Sequence, residues 1–189
     1  MKPMKPMMSL LLAVLLLLGA LPVLAEFPSG EATNDNIPKI HAVVKAFLEQ
    51  QELTYTEDED VYRLNFTLDN SLGGCETRIY VYYDQVAVVS SPDINVREEN
   101  RNLMAKYLTL ANWETFYTQF RMDYEDGQIA CRSAQSVESV IPGLSEIGVL
   151  VYMTVHSLND FGEGIAQVAL MGADPQTAFD EAMEKLNAE

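Results

Sequence analysis

The chain has 189 residues, with 28 acidic side chains against 12 Lys and Arg and a formal net charge of -16. A surface that acidic is repelled by phosphate backbones and by anionic membranes, which excludes nucleic acid as an expected partner. Its two cysteines and two histidines fall in no CxxC or HExxH spacing, so no metal site or cofactor is expected.

Residues 1–25 carry Lys2 and Lys5, then an unbroken apolar run over residues 10–18, then Gly19, Pro22 and the small-residue ending Val23-Leu24-Ala25. A positive start, a short apolar middle and a small residue before the cut are the parts of a secretory signal peptide. The competing reading is an uncleaved anchor, but a spanning helix needs about 20 apolar residues. Reaching that length here requires Gly19 and Pro22. Cleavage would start the mature chain at Glu26, in the periplasm or outside the cell, with no membrane attachment thereafter. Two lysines leave with the signal, so the formal charge moves from -16 to -18. Residues 26–36 read as a flexible leader, and residues 37–189 as one α+β domain with a single core.

Pro38 opens a helix whose face carries Ile40, Val43, Val44, Phe47 and Leu48 at three- and four-residue steps. The charge run Glu57-Asp58-Glu59-Asp60 lacks the ligand spacing of a calcium loop and reads as a solvated turn. An alternating block follows. Tyr62, Leu64, Phe66 and Leu68 face one way, and Cys75, Thr77, Ile79, Val81 and Tyr83 share a face after the break at Gly73-Gly74. A third strand over residues 86–90 completes a meander that Ser91-Pro92 ends.

Asn95, with Glu98 three residues on, predicts the capped start of a second helix with Val96, Leu103, Met104, Tyr107, Leu108 and Ala111 inward. Asp126-Gly127 then predicts a tight hairpin in which Phe116, Thr118, Phe120, Met122 and Tyr124 point to the core. A two-residue turn there sets Tyr124 opposite Ile129 and Met122 opposite Cys131. After Pro142 an apolar stripe runs from Leu144 to Leu158, and Asp160 and Asp174 are expected to cap two later helical segments. The architecture expected is thus an antiparallel sheet of about five strands, a three-strand meander plus the Asp-Gly hairpin, with helices packed on one face.

These registers point Cys75 and Cys131 to the same side of the sheet. An even cysteine count in an oxidising compartment predicts one disulfide, worth about 3–4 kcal/mol for so long a loop. Two buried free thiols are the alternative. The opposite face collects Arg63, Arg78, Arg121 and Arg132, four of the six arginines in the chain, with Tyr80, Tyr82 and Tyr117. Arg and Tyr are enriched at interaction hot spots because each covers area and also makes directed polar contacts. That surface is the candidate interaction face. The plainer reading is a solvated sheet whose arginines pair with Glu76 and Asp123. Neither His41 nor His156 stands in a catalytic spacing, and no nucleophile elbow or phosphate loop follows a strand. No catalytic residue is expected.

The run Tyr107-Leu108-Thr109-Leu110-Ala111-Asn112-Trp113, then Phe120-Arg121-Met122-Asp123 and Asp126-Gly127-Gln128-Ile129, resembles the YbjN-like family of bacterial proteins. So does Leu158-Asn159-Asp160-Phe161, followed by Ile165 and Val168. The likeness spans residues 37–171 in element order. That family is labelled as sensory transduction regulators. The resemblance implies a fold like that of type III secretion chaperones, which often dimerises, and carries no catalytic residues with it. The signal peptide departs from that pattern, since chaperones of this fold act in the cytoplasm. The function expected is an exported, non-enzymatic, chaperone-like binding or regulatory module that recognises a peptide, a protein segment or its own copy as a homodimer. Its rivals are a secreted hydrolase with an unadvertised carboxylate pair and a structural envelope protein.

Overall fold

Where the sequence alternates, the computed structural model forms strands; it describes residues 36–58, 62–138 and 140–188. The expected signal peptide and the leader up to residue 35 lie outside the described residues. The elements, in chain order, are α1 (Ile37–Gln50), β1 (Tyr55–Asp58), β2 (Arg63–Asn70), β3 (Gly73–Val81), β4 (Gln85–Pro92), α2 (Arg101–Glu114), β5 (Thr118–Met122), β6 (Ile129–Ser136), α3 (Leu144–Met171) and α4 (Pro175–Leu186). The strands make one antiparallel sheet in the order β1-β2-β3-β4-β6-β5. The fold is α+β, with the helices packed against one face of the sheet.

The sheet has six strands, one more than the expected five. The addition is β1, which takes in Glu57 and Asp58 of the run expected as a solvated turn. Tyr55 pairs with Phe66 and Glu57 with Leu64. Glu57 is drawn to α1, where Lys45 Nζ lies 2.7 Å from its Oε2 and His41 Nε2 lies 3.4 Å from its Oε1. The first hairpin also turns earlier than expected. Ser71 and Leu72 form its tip, and Gly73-Gly74 begins β3 instead of breaking the chain. Asn95 caps no helix. It bridges to Gln128, Val96 N donates to Gly127 O, and α2 starts only after a 3-10 turn at Glu98–Asn100.

The second hairpin has a six-residue connection, residues 123–128, in place of a two-residue turn. The register therefore moves by two, with Met122 opposite Ile129 and Phe120 opposite Cys131. A shift of two keeps every side chain on its own face, so Phe120, Ile129 and Cys131 are still buried. Phe116 and Tyr124 fall outside the strand and are exposed.

Helix α3 runs unbroken for 28 residues, through the position expected to cap a new segment. Asp160 stands mid-helix and faces His156 one turn back, 3.2 Å away. Among the described residues, no helix is long and apolar enough to cross a membrane. Asp174 does cap α4, accepting from Thr177 N at 3.0 Å with Pro175 in the first turn.

Two apolar clusters lie between sheet and helices. One joins α1 and the start of α3 to β2, β3 and β4, through residues such as Leu48, Leu64, Ile79, Val88 and Val151. The other joins α2, α4 and the rest of α3 to the β5–β6 hairpin, through Met104, Tyr107, Phe120, Ile129 and Ile165. A seam of buried hydroxyls runs where α3 crosses the sheet. Ser90 Oγ shares hydrogen bonds with Thr77 Oγ1 (2.9 Å) and Thr154 Oγ1 (2.7 Å), Thr118 pairs with Ser157 (2.7 Å), and Ser133 donates to Leu150 O (2.7 Å). Each buried hydroxyl thereby has the partner that burial requires.

Cys75 and Cys131 are both buried and both free, so the expected disulfide is absent from this structure. The topology supplies the reason. Cys75 pairs with Pro92 and Cys131 with Ser90, both on β4. Two strand spacings of about 4.8 Å separate the cysteines, against a Cα separation of about 4.4–6.8 Å for a bridge. Burial, offset in part by hydrogen bonds with Thr118 and Ser157, pushes the Cys131 thiol up to about 12.

Candidate binding face

The side of the sheet turned away from the helices carries Arg63, Asn65 and Thr67 of β2 beside Glu76, Arg78 and Tyr80 of β3, by the registers of the ladder. Across β4 the same rows continue through Ala87 and Val89 to Arg132 and Ala134 of β6, and on to Gln119 of β5. Neither core cluster includes any of these residues. Of the seven residues expected on this face, six are there: Arg63, Arg78, Tyr80, Tyr82, Arg121 and Arg132. The Tyr80 and Tyr82 rings stack, with centroids 5.8 Å apart and planes 7° from parallel. Tyr117 is the exception. It precedes β5 and lines a cleft with Met153 and His156 on the helical side.

Each arginine is held by an acceptor on its own strand or a neighbouring one. Arg63 meets Asp58 at 3.0 Å across the β1–β2 ladder. Arg78 lies along β3 against Glu76, with Nε 3.0 Å from Oε1, and this hydrogen bond is the main reason its pKa is raised. Arg121 donates from Nε (3.3 Å) and a terminal nitrogen (3.1 Å) to Gln119 Oε1. Arg132 reaches along the sheet to Gln85 Oε1 at 2.7 Å. The pairing expected with Glu76 is made; the one with Asp123 is not, because that carboxylate accepts from Glu125 N in the hairpin connection. The central positions between the arginines are short side chains, Ala87, Val89 and Ser91, and Ala87 and Ser91 are buried beneath their neighbours. At the β1–β2 end the face is polar, with a shallow depression of about 490 Å³ lined by Thr56, Asn65, Thr67 and Glu76.

The amide braces Gln85 and Gln119 were not singled out from the sequence, although Gln119 and Arg121 alternate onto one face and were legible as a pair. The unpaired edge of β5 is also occupied. Asn112 of α2 donates to Phe120 O (3.1 Å) and accepts from Phe120 N (2.7 Å), so one side-chain amide takes the place of a neighbouring strand. Thr115 Oγ1 donates to Thr118 O beside it. At the same corner Trp113, Phe116 and Tyr117 are 86, 93 and 74% exposed.

No family model matches the chain, and no curated protein matches it in sequence. In structure it is similar to the crystal structure of YbjN from E. coli, described there as a candidate transcription regulator, at a TM-score of 0.50 and 12% identity. That likeness covers 62% of this chain and 84% of YbjN. The fold is YbjN-like. A looser likeness is to a structure of the HopA1-SchA chaperone-effector complex, with a TM-score of 0.41 and 14% identity over 66% of this chain and 94% of the other. The YbjN-like likeness agrees with the element order that suggested the family, and it concerns the fold alone.

Proposed function

We propose that this chain is an exported, non-enzymatic module that binds a protein segment on the open face of its sheet. The observation that carries the reading is the layout of that face. The apolar cores lie wholly on the helical side, while the opposite surface presents stacked tyrosines and four arginines over a floor of small residues. Stacked rings offer apolar area at low entropic cost, and arginines offer directed donors, the composition typical of hot spots.

The rival hydrolase reading needs carboxylates that face one another. In the cleft between α3 and α4, Asp160 is paired with His156, Glu163 with Lys185, and Glu181 accepts from Gln167. Export rests on the sequence of residues 1–25. Terminal sequencing of protein from its native host should find Glu26 first, and a retained Met1 would overturn that part.

To test the face, Tyr80 and Tyr82 are replaced together by Ala, and partner capture from the native host's exported fraction is compared with the unaltered protein. Loss of more than about tenfold in affinity is expected, with the fold intact by circular dichroism. Unchanged capture by a folded variant would reject the face. A homodimer is the second reading, favoured by the exposed corner of Trp113, Phe116 and Tyr117. Phe116→Ser would then lower the mass seen by light scattering, and the Tyr80 and Tyr82 changes would not.

A further inference from the structure

The four arginines of the open face are not electrically equal. Arg63 and Arg78 are each matched by a carboxylate, Asp58 and Glu76. Arg121 and Arg132 are braced only by amide oxygens, those of Gln119 and Gln85. An amide oxygen orients a guanidinium and leaves its full positive charge in place. A guanidinium carries five N–H donors, so both groups keep donors for another acceptor. The two are also neighbours. Arg132 stands opposite Gln119 and Arg121 opposite Ala130, which makes them a diagonal pair with roughly 7 Å between their positions, within reach of long side chains. Ala130 and Ala134 flank Arg132 on β6 and raise no wall beside it. The acidic residue that follows β5, Asp123, is turned into the hairpin connection, where it accepts from Glu125 N.

We infer that the β5–β6 end of the open face is a carboxylate-binding subsite, in which Arg121 and Arg132 anchor acidic side chains of an extended peptide segment. The inference rests on the open face being the binding surface and names what it selects. Charge complementarity decides the class of ligand. On a chain of formal charge -16, this is the part of the face where positive charge is not matched by a carboxylate, so an acidic segment is drawn here and a lysine-rich one is not. Geometry decides how the segment lies. Asn112 and Thr115 already occupy the β5 edge, so the segment crosses the face and does not add as a seventh strand.

The test uses fluorescein-labelled short peptides of alternating Glu and Tyr, with Gln-for-Glu and Lys-for-Glu counterparts, titrated against the full chain by fluorescence anisotropy. The Glu peptide should bind about tenfold or more tighter than the Gln peptide, and the preference should weaken with added salt. Arg121→Gln with Arg132→Gln should abolish the preference, weakening the Glu peptide to the level of the Gln peptide; Tyr80→Ala should weaken both peptides alike and keep the preference. Equal binding of the Glu and Gln peptides to the unaltered protein would overturn the subsite and leave the open-face reading standing. A phosphotyrosine peptide that displaces the Glu peptide would overturn the carboxylate assignment in favour of phosphate. No binding by any peptide would overturn the subsite, and unchanged partner capture by the Tyr80 and Tyr82 variant would reject the face as well.

Discussion

Gly164 in α3 packs against the ring of Tyr107 in α2, and replacing it by Ala sets two effects of opposite sign against each other. Helix propensity alone favours Ala over Gly in a helix interior by about 1 kcal/mol. A β-carbon at position 164, however, would overlap Tyr107 Oη outright and lie 2.6 Å from Cζ and 2.7 Å from Cε2. Carbon contacts prefer about 3.5–4.0 Å. The ring has nowhere to go, because Tyr107 is fully buried and its hydroxyl donates to Phe161 O at 2.8 Å. Overpacking of this kind costs about 3 kcal/mol at the upper end of its usual range. Displacing the hydroxyl loses about 1 kcal/mol more. Against the propensity gain, the net is about 3 kcal/mol of destabilisation, or roughly 6–12 °C in Tm for a chain of this size. Thermal unfolding followed by circular dichroism measures it. Gly148→Ala on the same helix is the control. Its nearest neighbour would be Phe47 Cε2 at 3.2 Å, so a change within about 1 kcal/mol is expected there. A Tm for Gly164→Ala equal to or above that of the parent would refute the packing argument.

Gly127 has φ +80°, and a β-carbon on it would press into the Val96 backbone, 3.0 Å from N and 3.1 Å from C. Gly127→Ala should therefore lower the urea midpoint by an amount equivalent to about 2 kcal/mol or more, and an unchanged midpoint would contradict the clamp between Val96 and the hairpin. Thr154→Val leaves Ser90 Oγ without its 2.7 Å partner; a double-mutant cycle with Ser90→Ala should give a coupling of about 1 kcal/mol, and strict additivity would refute the seam. Both cysteines should resist alkylation in the native protein and give two titratable thiols once unfolded, whereas a disulfide mass would refute the spacing across β4. Because burial raises the folded pKa of Cys131 from 9.0 to about 12, its contribution to stability is fully present below pH 9.0 and lost as pH rises toward 12. Chemical denaturation over that window should show the midpoint falling less steeply for Cys131→Val.

Alternation carried most of the sheet into view from sequence. Leu64, Phe66, Cys75, Thr77, Ile79 and Val81 are inward as their two-residue period requires. So did the stripe Ile40, Val44, Phe47 and Leu48, since a buried helical face leaves its spacing in the chain. What stayed hidden was set by contacts between distant segments. β1 exists because the carboxylate of Glu57 finds Lys45 and His41 on α1, which no local pattern reveals. The hairpin register depends on a connection whose length Val96 and Gly127 settle together. Asp160 looked like a cap because Asp favours caps, yet Phe161, Ile165 and Val168 beyond it bury against α2 and the hairpin, and that packing carries α3 through. On the candidate face, strand parity placed Arg63, Arg78, Tyr80, Tyr82, Arg121 and Arg132 correctly. Parity failed at Tyr117, because the strand starts one residue later. The distinction between carboxylate-matched and amide-braced arginines lies in side-chain reach, which parity does not contain.

The length of α3 bears on how the chain comes to be folded. At about 1.5 Å per residue, its 28 residues extend some 42 Å, enough to lay Ile147 and Val151 in one apolar cluster and Leu158, Ile165 and Val168 in the other. All six strands precede it in the chain. A nascent polypeptide that ends after β6 therefore holds a complete set of strands with both cores still open to water. Closure waits for α3, which covers both cores at once, and α4 then completes the one around Met104 and Ile165. Pulse-labelled hydrogen exchange should accordingly protect Leu64 and Phe120, distant as they are, in the same kinetic phase.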